Sequence, residues 1–372
     1  MGGCSGKAKA KAPSANSASA APSLQEAAAS RKKQPVELTA DYAASAATEI
    51  LNLLPGAVAG RRAFVRGISS EGQAGFENKC LQTGGDTSLS SLNVGYCCKK
   101  GLKPESPNQD DFCIFHSGAS SIYGVFDGHG PYGHEISNFV QDMLPRKFLQ
   151  SPSSDPEKAL FSAFPTAQRL CVDSQLEGRF DCTLSGTTAT LALLHDKLLY
   201  VAHVGDSRAV LARRTPSSQG GLGGGALVAE DLTIDHKPDS ENERQRILKA
   251  GGQVIRLEGD IPHRVFLKGK LYPGLAMTRS IGDTVGSTAG ISCLAEVKKL
   301  ERQPDWKFIV ICSDGVWEFI SSQEAVDIVS RFSASHAQEA AEALAAEAWG
   351  RWIQEEGNVV DDITVVLTWF PE

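Results

Sequence analysis

Residues 121 to 130 read Ser-Ile-Tyr-Gly-Val-Phe-Asp-Gly-His-Gly, a β-branched and aromatic run that stops abruptly at Asp127-Gly128-His129-Gly130. A carboxylate and an imidazole thus stand at the mouth of a buried strand, beside glycines that let another group approach the backbone. Carboxylate and carbonyl oxygens in that setting suit a hard metal ion. Taken alone, an Asp-Gly turn between two elements is the simpler account. Similar acidic stations recur, however, at Asp110, at Asp314 after Phe308-Ile309-Val310-Ile311, and at Asp361-Asp362 before Ile363-Thr364-Val365-Val366. Four carboxylate stations at strand ends point to convergence, because buried unpaired carboxylates are costly unless a cation neutralises them. Oxygen-only ligands favour Mg²⁺ or Mn²⁺ over zinc, and several carboxylates in one site suit two ions sharing a bridging water.

Composition sets the frame for those residues. At 372 residues, 41% hydrophobic and 22% charged, the chain can bury a large core as one big domain or two ordinary ones. Nine cysteines, with Cys97 and Cys98 adjacent, form no CxxC pair, which points to reduced thiols in a cytoplasmic or nuclear compartment. Residues 1–36 carry +5 and the remainder −12, so nucleic acid is not expected as a partner of the acidic body.

The elements that must position the carboxylates can be outlined. Residues 1–56 read as a disordered basic arm ending in a short helix, Ala40 to Leu54, closed by Pro55-Gly56; 57–90 reads as an irregular, Gly-rich lead-in. The catalytic domain is expected over 91–372. Strands are expected near Gly95–Cys98, Phe112–Phe115, Thr187–Leu194, Lys197–Val204 and Arg208–Ala212, the middle pair joined by a tight His195-Asp196 turn. Tyr132 to Gln150 has helical spacing, with an interruption expected at Pro145, and Glu157 to Leu176 reads as a second helix. Ser240 with Glu243, and Ser321 with Glu324, spell capping boxes. A strand over Trp306–Cys312, an Ala-rich helix from Ser335 to Gln354 and a last strand from Ile363 complete an α+β pattern, an antiparallel core covered by helices.

At this point the chain resembles the metal-dependent protein Ser/Thr phosphatases of type 2C, over about residues 91 to 370. The motifs stand in family order: Asn108-Gln109-Asp110, Val125 to Gly130, Ser185-Gly186-Thr187-Thr188-Ala189, Val204-Gly205-Asp206-Ser207-Arg208, Asp235-His236-Lys237-Pro238, Ala250-Gly251-Gly252, Thr278 to Asp283, Ser313-Asp314-Gly315-Val316-Trp317 and Asp361-Asp362-Ile363-Thr364. The resemblance implies a central β-sandwich with helices on both outer faces and a binuclear site at one edge. By position Asp127 bridges two Mg²⁺ or Mn²⁺ ions, Asp314 and Asp361 complete one, and the Gly128 carbonyl serves the other. Asp110 then orients bound waters from behind, and His129 is the general acid for a Ser or Thr leaving oxygen. Asp206, with Glu318 following the Trp, corresponds to a weaker third metal position.

The sequence departs from the family pattern where the substrate phosphate is usually clamped. Glu105 occupies the place of the customary Arg, and Lys103 is the nearest cation, a point charge without a guanidinium fork. The resemblance implies phosphoprotein substrates and a monomer. Met1-Gly2-Gly3-Cys4 resembles an acylation signal, with Gly2 for myristate and Cys4 for palmitate, which would place the protein at the cytoplasmic face of a membrane.

Overall fold

The computed structural model describes residues 40–58, 60–68, 75–103, 107–216, 225–257 and 262–371. Helix α1 (Ala40–Leu53) comes first, then strands β1 (Arg62–Ile68), β2 (Cys80–Gly85), β3 (Val94–Lys99), β4 (Asp110–Ser117) and β5 (Ser120–His129). Helices α2 (Gly133–Leu149) and α3 (Pro156–Leu176) follow, then β6 (Gly186–Thr187), β7 (Ala189–His195), β8 (Leu198–Val204), β9 (Arg208–Arg214) and β10 (Leu227–Asp231). Next come α4 (Glu241–Lys249), β11 (Gly252–Ile255), β12 (Arg264–Leu267), β13 (Pro273–Leu275), β14 (Ile281–Gly282) and α5 (Thr284–Ser287). The chain closes with β15 (Glu296–Glu301), β16 (Trp306–Cys312), α6 (Asp314–Trp317), α7 (Ser322–Val329), α8 (Ala337–Glu356) and β17 (Ile363–Trp369).

Two antiparallel sheets result, ordered β15-β8-β7-β5-β4-β1-β2 and β10-β9-β16-β17-β3, with β11-β12-β13 forming a small third. Period-two alternation explains how they stack. On β4, Phe112 and Ile114 meet Ile309 and Ile311 of β16 and Val366 of β17 between the sheets. The alternate residues, Cys113 and Phe115, face outward onto α1, α2 and α3. Phe308 and Val310 of β16 likewise face outward onto α7 and α8. The layers are therefore helix, sheet, sheet, helix, as expected for the sandwich. Among the described residues, no helix is long and apolar enough to cross a membrane.

Three local expectations are corrected. The lead-in at 57–90 contains β1 and β2, which add two antiparallel strands to the edge of the first sheet. Helix α2 runs through Pro145, because Ile136, Val140, Leu144 and Phe148 bury one face of it and Arg146 is ion-paired to Asp142. Those contacts outweigh the roughly 3 kcal/mol a mid-helix proline costs. Ser240 caps α4 by position but its side chain accepts no hydrogen bond, and the Glu243 carboxylate that would accept from the Ser240 N–H is taken by Arg246, Arg279 and Thr278. The Ser321–Glu324 box forms as read, with both reciprocal bonds present.

Candidate metal centre

Strand register builds the site. Asp110 and Asp127 are directly opposite partners at the end of the β4–β5 pair, on the sides facing the sandwich interior. Asp110 is almost fully buried, and its Oδ2 accepts from the hydroxyls of Ser313 (2.6 Å) and Thr364 (2.7 Å), which lie at the ends of β16 and β17. The strands that meet across the sandwich thus clamp Asp110, and Asp110 holds them together in return. Asp314 opens α6 one residue beyond Ser313 and hydrogen-bonds towards Asp127. Asp206, in the turn between β8 and β9, is buried.

The acidic doublet before β17 divides its labour. Asp362 turns away to accept from the backbone N–H groups of Gly101 and Gln109, both at 2.7 Å, and so ties two loops down. Asp361 faces the centre, where Lys103 is ion-paired to it. Lys237 makes the corresponding contact with Asp206 at 2.5 Å. Behind the site, Lys79 is fully buried against Asp111 at 3.1 Å and also donates to the carbonyl oxygens of Asn108 and Asp110.

The electrostatics fit a cation site. Burial, followed by the charges of Asp314, Asp110, Asp361 and Asp206, holds Asp127 well above the usual carboxylate range. Burial and then the charge of Asp362 push Asp110 up to about 8, against the pull of its two hydroxyl donors. Burial, then Asp206 and Asp361, push Asp314 up to about 7. One oxygen of Asp206, Oδ1, is buried with no hydrogen-bond partner. Mutually repelling carboxylates with lone pairs to spare need positive charge between them, and the oxygen-only donor set suits Mg²⁺ or Mn²⁺. At Gly128, next to Asp127, a Cβ would lie 2.3 Å from the Gly133 carbonyl oxygen, so only glycine lets the chain pass.

His129 follows Gly128, and its Nε2 lies 2.7 Å from Asp283 Oδ2. Burial opposes a charged ring, but Asp283, with Asp206 and Asp314 beyond, carries its pKa above the ordinary histidine value. Asp110, Asp127, Gly128, His129, Asp206, Asp314, Asp361 and Lys103 therefore gather as their motifs suggest. Glu318 joins them only through its backbone N–H, which donates to the Asp314 carbonyl at the end of α6, and its side chain is exposed. Glu105, Gly2 and Cys4 lie outside the described residues.

Sequence reasoning missed four participants. Lys237, Asp283 and Asp362 stood inside quoted motifs without a role, and Lys79 had no local signal at all, because its partner Asp111 is distant in the chain. His203 and His236 are buried and stacked, with ring centroids 4.4 Å apart. Gly205 N–H donates to His236 Nδ1.

Comparison with known proteins agrees with this geometry. The sequence profile of the family described as Protein phosphatase 2C matches residues 104–355. Probable protein phosphatase 2C 35 of Arabidopsis thaliana is 35% identical over 297 residues, covering 72% of this chain and 81% of the relative. Probable protein phosphatase 2C 34 of the same plant is 37% identical over 315 residues, covering 78% and 83%. The crystal structure of serine-threonine phosphatase 2C from Toxoplasma gondii superposes with a TM-score of 0.64 at 23% identity, covering 75% of this chain and 94% of that one, a likeness of fold. With the carboxylate cluster and these relatives together, the chain belongs to the protein phosphatase 2C family of metal-dependent protein Ser/Thr phosphatases.

Proposed function

We propose that this protein hydrolyses phosphoserine and phosphothreonine in proteins at a centre of two Mg²⁺ or Mn²⁺ ions held around Asp127. The carrying observation is the convergence of Asp127, Asp206, Asp314 and Asp361, where burial and then the neighbouring carboxylates raise the pKa of Asp127. Asp127, Asp314, Asp361 and the Gly128 carbonyl would be the protein oxygens that hold these ions, with Asp127 shared between them. Bound there, the ions supply an activated water for in-line attack on phosphorus and charge for the phosphoryl oxygens. Asp110 fixes the geometry from behind, held by Ser313 and Thr364. His129 holds the proton that the leaving Ser or Thr oxygen takes. Asp206 offers its unpartnered oxygen to a weaker third ion.

Lys103 is the cation for the substrate phosphate in this reading. Its ammonium group is 38% exposed and paired to Asp361, and a metal ion taking Asp361 would leave it to hold the phosphate. Acylation of Gly2 and Cys4, with attachment to a cytoplasmic membrane face, remains the reading of the N-terminal sequence; intact-mass measurement of protein from a eukaryotic host tests it.

Phosphate release from a phosphothreonine peptide, with Mn²⁺ or Mg²⁺ titrated, tests the central reading. Turnover should require metal and collapse in Asp127→Asn. No turnover in folded wild type at any metal concentration would instead leave a phosphoprotein-binding scaffold of the same fold. Turnover of small aryl phosphates but of no phosphopeptide would point to a hydrolase of small phosphoesters.

A further inference from the structure

We infer that Asp283 is the positioning residue of His129, fixing the ring so that Nδ1 is the nitrogen that hands its proton to the departing oxygen. This rests on the phosphatase reading and adds a residue with no role in it so far. The fold delivers the two side chains to each other through a short ladder. Gly186 of β6 is paired with His129 on one side and with Gly282 of β14 on the other, so Asp283, the next residue, ends up across from the imidazole. Asp283 is fully buried, and its Oδ2 accepts from both His129 Nε2 (2.7 Å) and Ser280 Oγ (2.5 Å).

Three further observations agree. A Cβ on Gly186 would lie 2.3 Å from Asp283 Oδ2, so the glycine keeps open the gap that the carboxylate crosses. Asp283 has φ 45° and ψ 50°, the left-handed region that a non-glycine residue keeps only when its surroundings over-determine it. Here the backbone N–H of Asp283 is bonded to Ser185 and that of Thr284 to Cys182. Finally, Nδ1 of His129 has no hydrogen-bond partner, so with Nε2–H committed to Asp283 it is the nitrogen left to carry and release a proton when the ring is charged.

The step balances as follows. Water oxygen forms a bond to phosphorus as the bond from phosphorus to the Ser or Thr oxygen breaks. The Nδ1 proton passes to that oxygen to give the free hydroxyl, and the proton released by the attacking water restores the ring.

The test uses full-length protein with Mn²⁺ and two substrates, a phosphothreonine peptide and p-nitrophenyl phosphate, whose leaving group departs without a proton. Asparagine tolerates the left-handed backbone, so Asp283→Asn should fold. It should lose kcat on the peptide on the order of 10²-fold while changing on the aryl ester by less than about threefold. His129→Ala should show the same split, and combining the two substitutions should cost no more than His129→Ala alone. In nitrogen-15-labelled, metal-free protein, the hydrogen-bonded Nε2 proton of His129 should be observed in wild type and absent in Asp283→Asn. Equal losses on both substrates, additive losses in the double variant, or an unchanged Nε2 signal would overturn the inference. Wild type inactive on the peptide at every metal concentration would overturn the phosphatase reading instead.

Discussion

Neutralising one metal-site carboxylate should make the metal-free protein more stable while destroying its activity. In the metal-free fold, burial and the charges of Asp206 and Asp361 raise Asp314 from 3.8 to about 7. The native site then holds a proton more tightly than the unfolded chain, so metal-free stability falls as pH rises from about 4 to about 7. At about 1.4 kcal/mol per unit, that rise corresponds to about 4 kcal/mol by pH 8. The repulsion is shared with Asp127, Asp206 and Asp361, so replacing one member recovers a part of it, on the order of 2 kcal/mol. Asp314→Asn should therefore melt roughly 4 °C higher than wild type at pH 8 in EDTA, with the gap closing near pH 5. Mn²⁺ should raise the melting temperature of wild type strongly and of the variant little, and the variant's phosphatase activity should fall at least about 10²-fold. A metal-free variant no more stable than wild type at pH 8 would refute the claim that these carboxylates repel one another.

Other predictions reach beyond the metal ligands. Lys79→Met strands the buried Asp111 charge and should destabilise by about 3–5 kcal/mol in urea unfolding, with much of that recovered by adding Asp111→Asn. Ser321→Ala removes a working cap and should cost about 1 kcal/mol, whereas Ser240→Ala, whose hydroxyl caps nothing, should change the midpoint little. Burial, helped by the neighbouring His236, holds His203 down to about 4, so the unfolded chain takes up the proton first as pH falls. Stability present above pH 6.5 should be lost between there and about pH 4, and His203→Gln should flatten that part of the melting-temperature profile.

Much of the site was legible in the chain because it sits where strands end. Asp110, Asp127, Asp314 and Asp361 each adjoin an apolar run that reads as a buried strand, while the two-sheet sandwich was implied by the family resemblance. Glycine beside Asp127 could be read as a place of close approach, and the register confirms why no side chain fits at Gly128. Ser321 with Glu324 formed its cap although Arg351 also pairs with Glu324, because the cap uses Oε2 while Arg351 takes Oε1 at 3.0 Å.

Tertiary structure decided the rest wherever partners are far apart in sequence. Glu243 carried the same local signal as Glu324 but is claimed by Arg279, and a capping bond cannot compete with charge-assisted bonds in a buried setting. Pro145 stays inside a helix because burial of its neighbours outweighs a lost backbone bond. Asp361 and Asp362 are identical in type and adjacent in chain, yet one turns to the metal centre and the other to two backbone amides. Lys79 and Asp111, and His129 and Asp283, become pairs only when the sheets close. Apolar runs and the turn residues that stop them marked the strand ends that carry the carboxylates, because both are local features of the chain. Which carboxylate meets which cation was left to the folded structure, because electrostatic pairing depends on distance and burial rather than on order along the chain.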